Sequence, residues 1–353
     1  MNRLNVVTSV SLSLLVAAAC ASGASDTPDA PQQTESATSP GAQQGAPATS
    51  PASSGDGDRR RADAAVPVDA SEAGSTTPVP TGTLKTIFVI VLENHNWSGI
   101  KGSASAPYIN NTLLRDGAHC EQYFNMPGMH PSEPNYIVME AGDALGIKND
   151  SPPASNHRSA PHLSMQLDAA GIAWRSYQED ITGTVCPVTN VGLYAPKHNP
   201  FVFFDDVTAN TANCVAHNRP MTELASDLRT NSVARYNFLT PNLCNDMHGA
   251  SGCPHDSIKT GDDWLAATIP AIQASAAYRN GGAIFVTFDE SEGGDFPIGM
   301  IALSALAKPG FSSSVAHTHS ALLRSVQDVF GVRPYLGDAA HASNLGELFT
   351  SFP

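Results

Sequence analysis

Residues 83–353 predict an α/β domain built on an open, mostly parallel central sheet with helices on both faces, and three observations point to it. Two continuous apolar, β-branched runs, TIFVIVL at 86–92 and GAIFVTF at 282–288, have the pattern of strands buried on both faces. Helix-periodic segments alternate with shorter strand-like ones around them, the order of a parallel sheet with crossover helices. The stretch of roughly 270 residues is long enough for one sizeable core.

In chain order, the strand at 86–92 leads to a helix over 106–116 and a second over 134–140, the latter opened by Pro134. A helix over 162–170 precedes a short strand at 172–177. Next come a helix over 220–228, a strand at 236–240 and a long helix over 262–278, then the second strong strand at 282–288. A strand at 300–304 and a helix over 319–330 complete the order. That last helix carries Leu322, Leu323, Val326, Val329 and Phe330 on an apolar stripe, and Gly331 follows as its C-cap.

The chain before residue 83 reads differently. Residues 1–20 have a basic start at Arg3, a short apolar stretch and small residues before Cys20, which is an export signal. The run VAAAC at 16–20 resembles a bacterial lipobox, which would make Cys20 a lipid anchor and the only membrane attachment; a plain signal peptide is the alternative. Residues 21–82 are rich in Ala, Ser, Thr and Pro with almost no large apolar side chain, so they read as a disordered tether. A formal net charge of −14 argues against nucleic acid as a partner. Five cysteines follow Cys20, and in an oxidising compartment Cys244 with Cys253 and Cys186 with Cys214 are the first pairs expected, leaving Cys120 spare.

Both strong strands run into acids, Glu93-Asn94 after the first and Asp289-Glu290 after the second. Ligands of open α/β sheets bind beyond the carboxyl ends of the strands, so these groups are expected at one crevice. Converging carboxylates repel one another and raise each other's pKa unless a cation neutralises them. His317 and His319, at the start of the last helix, would add imidazole to the set: zinc, manganese or iron then fit, whereas magnesium or calcium fits a carboxylate site. Ser132, in GMHPSEPNYIVMEAG at 128–142, stands where a helix begins, and that position suits either an N-cap or a nucleophile facing a phosphate.

With these residues in view, the chain resembles the bacterial and fungal phosphoesterases that include acid phosphatases and phosphatidylcholine-type phospholipases C, within the alkaline phosphatase-like superfamily. The segments that carry the resemblance are IFVIVLENHNWSGI, MHPSEPNYIVMEAGD, GIAWRSYQED, KHNPFVFFDDV, FLTPNLCNDMHG, GDDWLAATIP, IFVTFDESEGG and HSALLRSVQDVFGV, in order over 84–335. The resemblance implies an alkaline phosphatase-like fold and one or two divalent cations on Glu93, Asn94, Asp289 and Glu290, with Asp246 and His319 as further ligands. Ser132 matches the nucleophile, with Pro134 and Asn135 beside it. His198 matches a position at the substrate phosphate, and His248 lies in the segment of Asp246; Asn94 and Asn135 would also face substrate. His319, with His317 as rival, matches the family histidine before the Leu-Leu-Arg helix, and His198, His248 or His319 would protonate the leaving oxygen.

The expected activity is hydrolysis of small-molecule or lipid phosphate esters through a phosphoserine, most simply as an acid phosphatase-like phosphomonoesterase. A phospholipase C or phosphodiesterase is the alternative, and a surface-displayed binding lipoprotein that has lost turnover is the alternative of another class. Departures from the family pattern are the lack of a twin-arginine signal, of any stretch after 335 for extra C-terminal domains, and of a histidine where Glu290 stands.

Overall fold

The computed structural model describes residues 82–353. The export signal over 1–20, Cys20 and the tether up to residue 81 lie outside the described residues. Among the described residues ten strands occur in chain order: β1 (Thr86–Leu92), β2 (Ala118–Cys120), β3 (Tyr123–Phe124), β4 (Trp174–Gln178), β5 (Asn218–Pro220), β6 (Tyr236–Thr240), β7 (Gly282–Phe288), β8 (Met300–Ser304), β9 (Ser312–Ser313) and β10 (His317–Thr318). Eight form one sheet in the order β5-β4-β6-β1-β7-β8-β2-β9. From β5 to β7 every neighbouring pair is parallel, and β8 runs antiparallel to both β7 and β2.

The two apolar runs occupy the middle of this sheet. All of β7 and all of β1 except Thr86 are buried, which requires cover on both faces. Two groups of helices supply it: Ser132–Ala141, Leu163–Ala169 and His319–Phe330 pack together, and so do Leu224–Thr230, Ser257–Gln273 and Ala276–Arg279. Among the described residues no helix is long and apolar enough to cross a membrane.

Strands are where sequence and structure agree best, and helix ends are where they differ. The segment expected as a helix over 106–116 winds as a π-helix at Ile109–Leu113 and ends in one α-turn at Leu114–Asp116. The helix expected from 134 starts at Ser132, with Pro131 at its N-cap. It ends at Gly142 in the left-handed region, where a Cβ would collide with the Leu336 carbonyl. Pro220 belongs to β5, so the helix expected from 220 begins as a 3₁₀ turn at Met221–Glu223.

The helix expected over 262–278 runs instead over Ser257–Gln273, because Asp256 caps it by accepting from the Lys259 N–H. Its end has a local cause as well. Ser275 donates to the Ile272 carbonyl at 2.6 Å and accepts from the Tyr278 N–H, which starts a separate turn at Ala276–Arg279.

Disulfides join Cys186 to Cys214 and Cys244 to Cys253, and Cys120 is free and buried. The second closes the short loop that carries Asp246 and His248, with nine residues of separation. Replacing both of its cysteines by serine is expected to cost about 2–3 kcal/mol in denaturant unfolding.

A buried ion pair anchors the helix Leu163–Ala169. The His162 ring is fully buried, stacks on Phe204 at 3.9 Å, and lies 2.9 Å from Asp206 and 3.3 Å from Glu140. Burial opposes its charge, but the bonds to Asp206 and Glu140 carry its pKa up to about 9. A histidine raised above its unfolded value stabilises the fold fully below that unfolded value, and the contribution fades as pH rises through about 9. Thermal melts from pH 6.5 to 9.5 are therefore expected to show a loss on the order of 3 kcal/mol that His162→Gln removes.

Candidate active site

Parallel register sets the site. Leu92 pairs with Phe288 across β1 and β7, so Glu93 and Asp289 leave the sheet side by side. The Asn94 N–H donates to Asp289 Oδ1 at 3.0 Å, and Asn94 takes φ 46° in doing so. The Glu93 N–H donates to the Asp246 carbonyl at 2.7 Å, which ties in the loop after β6. His198 arrives on the 3₁₀ turn Pro196–His198, in the connection that follows β4. All of these lie beyond the carboxyl ends of parallel strands, as the topology requires.

Ser132 is 1% exposed and donates to Glu93 Oε2 at 3.0 Å, with Glu290 Oε1 at 3.5 Å. It is the first helical residue and caps nothing, which removes the N-cap reading. The helix start is also less open to a phosphate than expected, because Asp150 Oδ1 takes the Glu133 N–H at 3.0 Å. Tyr136, four residues on and on the same helix face, donates to Glu93 Oε1 at 2.5 Å. His198 lies 3.2 Å from Glu93 and 3.3 Å from Asp246.

Burial alone would raise Glu93, but the charge and hydrogen bond of His198, helped by Tyr136, hold it at about 2. Burial likewise opposes charge on His198, and Glu93 and Asp246 overcome it, carrying the imidazole to about 10. Asp289 is pushed well above the carboxylate range by burial and by repulsion from Glu93 and Glu290. Burial also raises Asp246 and Glu290, against the pull of His198 on the first and His130 on the second.

Buried polar atoms are left over here. Asn94 Oδ1 and Asp289 Oδ2 have no hydrogen-bond partner, and His198 Nε2 and Asp246 Oδ2 have only their ion-pair contacts with Glu93 and with His198, although such groups are hydrogen-bonded in most folds. Single ligand atoms of Glu93, His198 and Asp246 lie within 4.8 Å of one another. Unpaired lone pairs among repelling carboxylates fit a divalent cation, and the donors are mostly hard oxygens with one imidazole.

The structure thus brings together Glu93, Asn94, Ser132, His198, Asp246, Asp289 and Glu290. It does not bring a free nitrogen of His319 to them. His319 Nε2 donates to the Asp289 main-chain oxygen at 2.5 Å and Nδ1 accepts from Tyr123 at 3.3 Å, so this histidine holds a strand end instead of ligating. Burial lowers its pKa to about 4, which keeps it neutral. His317 points to Glu347 at 2.7 Å. Asn135 donates to the carbonyls of Met129 and Pro131, fixing the loop before Ser132 rather than facing substrate with its amide.

His248 stands at the rim, its Nδ1–H on the Gly249 carbonyl at 2.8 Å and its ring 5.9 Å from His198. His130 pairs with Glu290. A cleft of about 480 Å³ opens between Asn94, His95, His130, Met247, His248 and Glu290. Sequence reasoning missed Tyr136, whose i+4 spacing from Ser132 was a usable signal, and Lys197, adjacent to His198. It also missed Asp150, which pairs with Lys197 at 3.0 Å and had no signal in its turn-like KNDSPP setting.

A buried serine set against a carboxylate and imidazole cluster, at the carboxyl edge of a mostly parallel central sheet, defines a hydrolase acting on phosphoric ester bonds. The chain belongs to the Phosphoesterase family, whose pattern matches residues 102–333. It is similar to a phosphatidylinositol-3-phosphatase of Mycobacterium tuberculosis, with 29% identity over 76% of this chain and 83% of the relative. It is also similar to a phosphate-repressible acid phosphatase of Penicillium chrysogenum, with 27% identity over 66% of this chain and 56% of the relative. The chain spans about half the length of the fungal acid phosphatases it matches. In fold it is similar to human ectonucleotide pyrophosphatase/phosphodiesterase 5, with TM-score 0.50 and 12% identity over 75% of this chain and 100% of that one.

Proposed function

We propose that the protein is an exported, metal-dependent phosphomonoesterase of the acid phosphatase type that works through a phosphoserine at Ser132. The observation that carries this reading is the buried Ser132 hydroxyl, 3.0 Å from Glu93 and beside an acceptor-rich cluster with unpaired atoms. Glu93, Asn94, Asp289 and Glu290 would hold one divalent cation, with Asp246 available toward a second. Bound there, the cation would supply the positive charge that lowers the serine pKa and offsets the phosphate.

Ser132 Oγ attacks phosphorus, its proton passing toward Glu93, while the bond from phosphorus to the alcohol oxygen breaks. His198 is locked between two carboxylates and both nitrogens of His319 are engaged, so His248 is assigned the acid role. Its Nδ1–H is held by the Gly249 carbonyl, so the imidazolium form of His248 carries its second proton on Nε2 and gives that proton to the departing oxygen. Water then cleaves the phosphoserine and restores the hydroxyl. His319 serves as a positioning residue under Asp289.

Export is supported by the N-terminal signal, with Cys20 as lipid anchor, and by two disulfides. Substrates are small-molecule or lipid phosphate esters. The purified protein is expected to hydrolyse p-nitrophenyl phosphate about tenfold or more faster than bis-p-nitrophenyl phosphate. A preference for the diester would overturn the monoesterase reading in favour of a phosphodiesterase.

A further inference from the structure

A second cleft of about 500 Å³ adjoins the site, walled by Pro152, Tyr194, Pro196 and Leu243, with Lys197 and Asp150 also lining it. His248 lines both clefts, so the two adjoin at the residue assigned to the leaving oxygen. Lys197 is the neighbour of His198 in sequence, and Glu93 and Asp289 are close enough to influence its charge. The second cleft therefore begins where the broken bond would lie.

Its chemistry limits what it accepts. Lys197 is the only lysine or arginine lining it, and its ammonium is already paired with Asp150 at 3.0 Å. An anionic alcohol would meet the Asp150 carboxylate with no unpaired lysine or arginine to compensate, His248 being engaged by the departing oxygen. The prolines, Tyr194 and Leu243 offer apolar walls, while Thr189 and Asn190 place a hydroxyl and an amide at the exposed rim. Clefts of about 300–1,000 Å³ suit ligands of one or a few rings.

We propose that this second cleft is the leaving-alcohol subsite of the same active site and that it takes an uncharged, ring-bearing alcohol. The proposal rests on the phosphomonoesterase reading. It makes selectivity a property of the Pro152 to Leu243 walls, separate from the chemistry at Ser132.

Asn190→Trp and Thr189→Trp each place a large ring at an exposed edge of the cleft. The quantity to measure is kcat/KM for 2-naphthyl phosphate divided by that for ethyl phosphate, in the metal-loaded full chain and both variants. The ratio is expected to fall about tenfold or more relative to wild type in at least one variant. Wild type is also expected to prefer phenyl phosphate to 4-carboxyphenyl phosphate by about fivefold or more.

A ratio that neither tryptophan changes, or an equal fall for both esters in both variants, overturns the subsite while leaving the phosphatase reading intact. A preference for the carboxylated ester overturns the uncharged-alcohol assignment. Failure of wild type to hydrolyse any of these esters overturns the phosphomonoesterase reading and the subsite with it.

Discussion

Ser132→Ala is expected to lower kcat/KM for p-nitrophenyl phosphate by about three orders of magnitude or more, with stability within about 1 kcal/mol of wild type. The separation of the two effects follows from where the hydroxyl points. It donates to Glu93 Oε2 and makes no cap, so its loss leaves the helix Ser132–Ala141 with its Pro131 start unchanged. Glu93 keeps the Tyr136 hydroxyl and the His198 ring, and so is not stranded as an unpaired buried charge. In the proposed mechanism, what is lost is the oxygen that takes the phosphoryl group. Acid quench of wild type during turnover is expected to trap phosphate on the peptide containing Ser132, and the alanine variant none. Turnover within tenfold of wild type in that variant would sink the covalent mechanism.

The parts of this site that were legible in the sequence share one property: their signal is local. β1 and β7 read as continuous apolar runs because both faces are buried, and the acids that follow them needed only strand direction to be placed. The disulfide between Cys244 and Cys253 was readable because nine residues separate them. His319 shows the limit. An HxH pattern before a helix gives residue type and position, but not which way the ring turns, and here Tyr123 and the Asp289 carbonyl take both nitrogens.

Asp150 and Lys197 come from segments 47 residues apart, so their pairing exists only after folding. The start of the helix Ser257–Gln273 was hidden for a smaller reason, since a single aspartate in a loop supplies the cap. Asp246 and His248 were legible through family resemblance alone; nothing in the periodicity of PNLCNDMHG marks them.

Removal of the proposed divalent cation is the second large effect expected, and Asp289 is where its cause is concentrated. The carboxyl is fully buried, Oδ1 holds the Asn94 N–H, and Oδ2 has no partner. Burial and repulsion from Glu93 and Glu290 disfavour its charged form, and a cation reverses that by giving the carboxylates a common counter-charge. Chelation is therefore expected to lower turnover about a thousandfold and to be reversed by one of zinc, manganese, iron, magnesium or calcium.

Asp289→Asn should lose metal content and turnover together, also by about a thousandfold. Its effect on stability distinguishes ligation from a packing role. In the metal-free state the amide removes a repelling buried acid, so the variant is expected to melt at or above the wild type; in the metal-loaded state it should melt below it. A variant destabilised equally in both states would make Asp289 a packing residue. Full turnover by protein shown to be free of metal would overturn the metal-dependent mechanism itself.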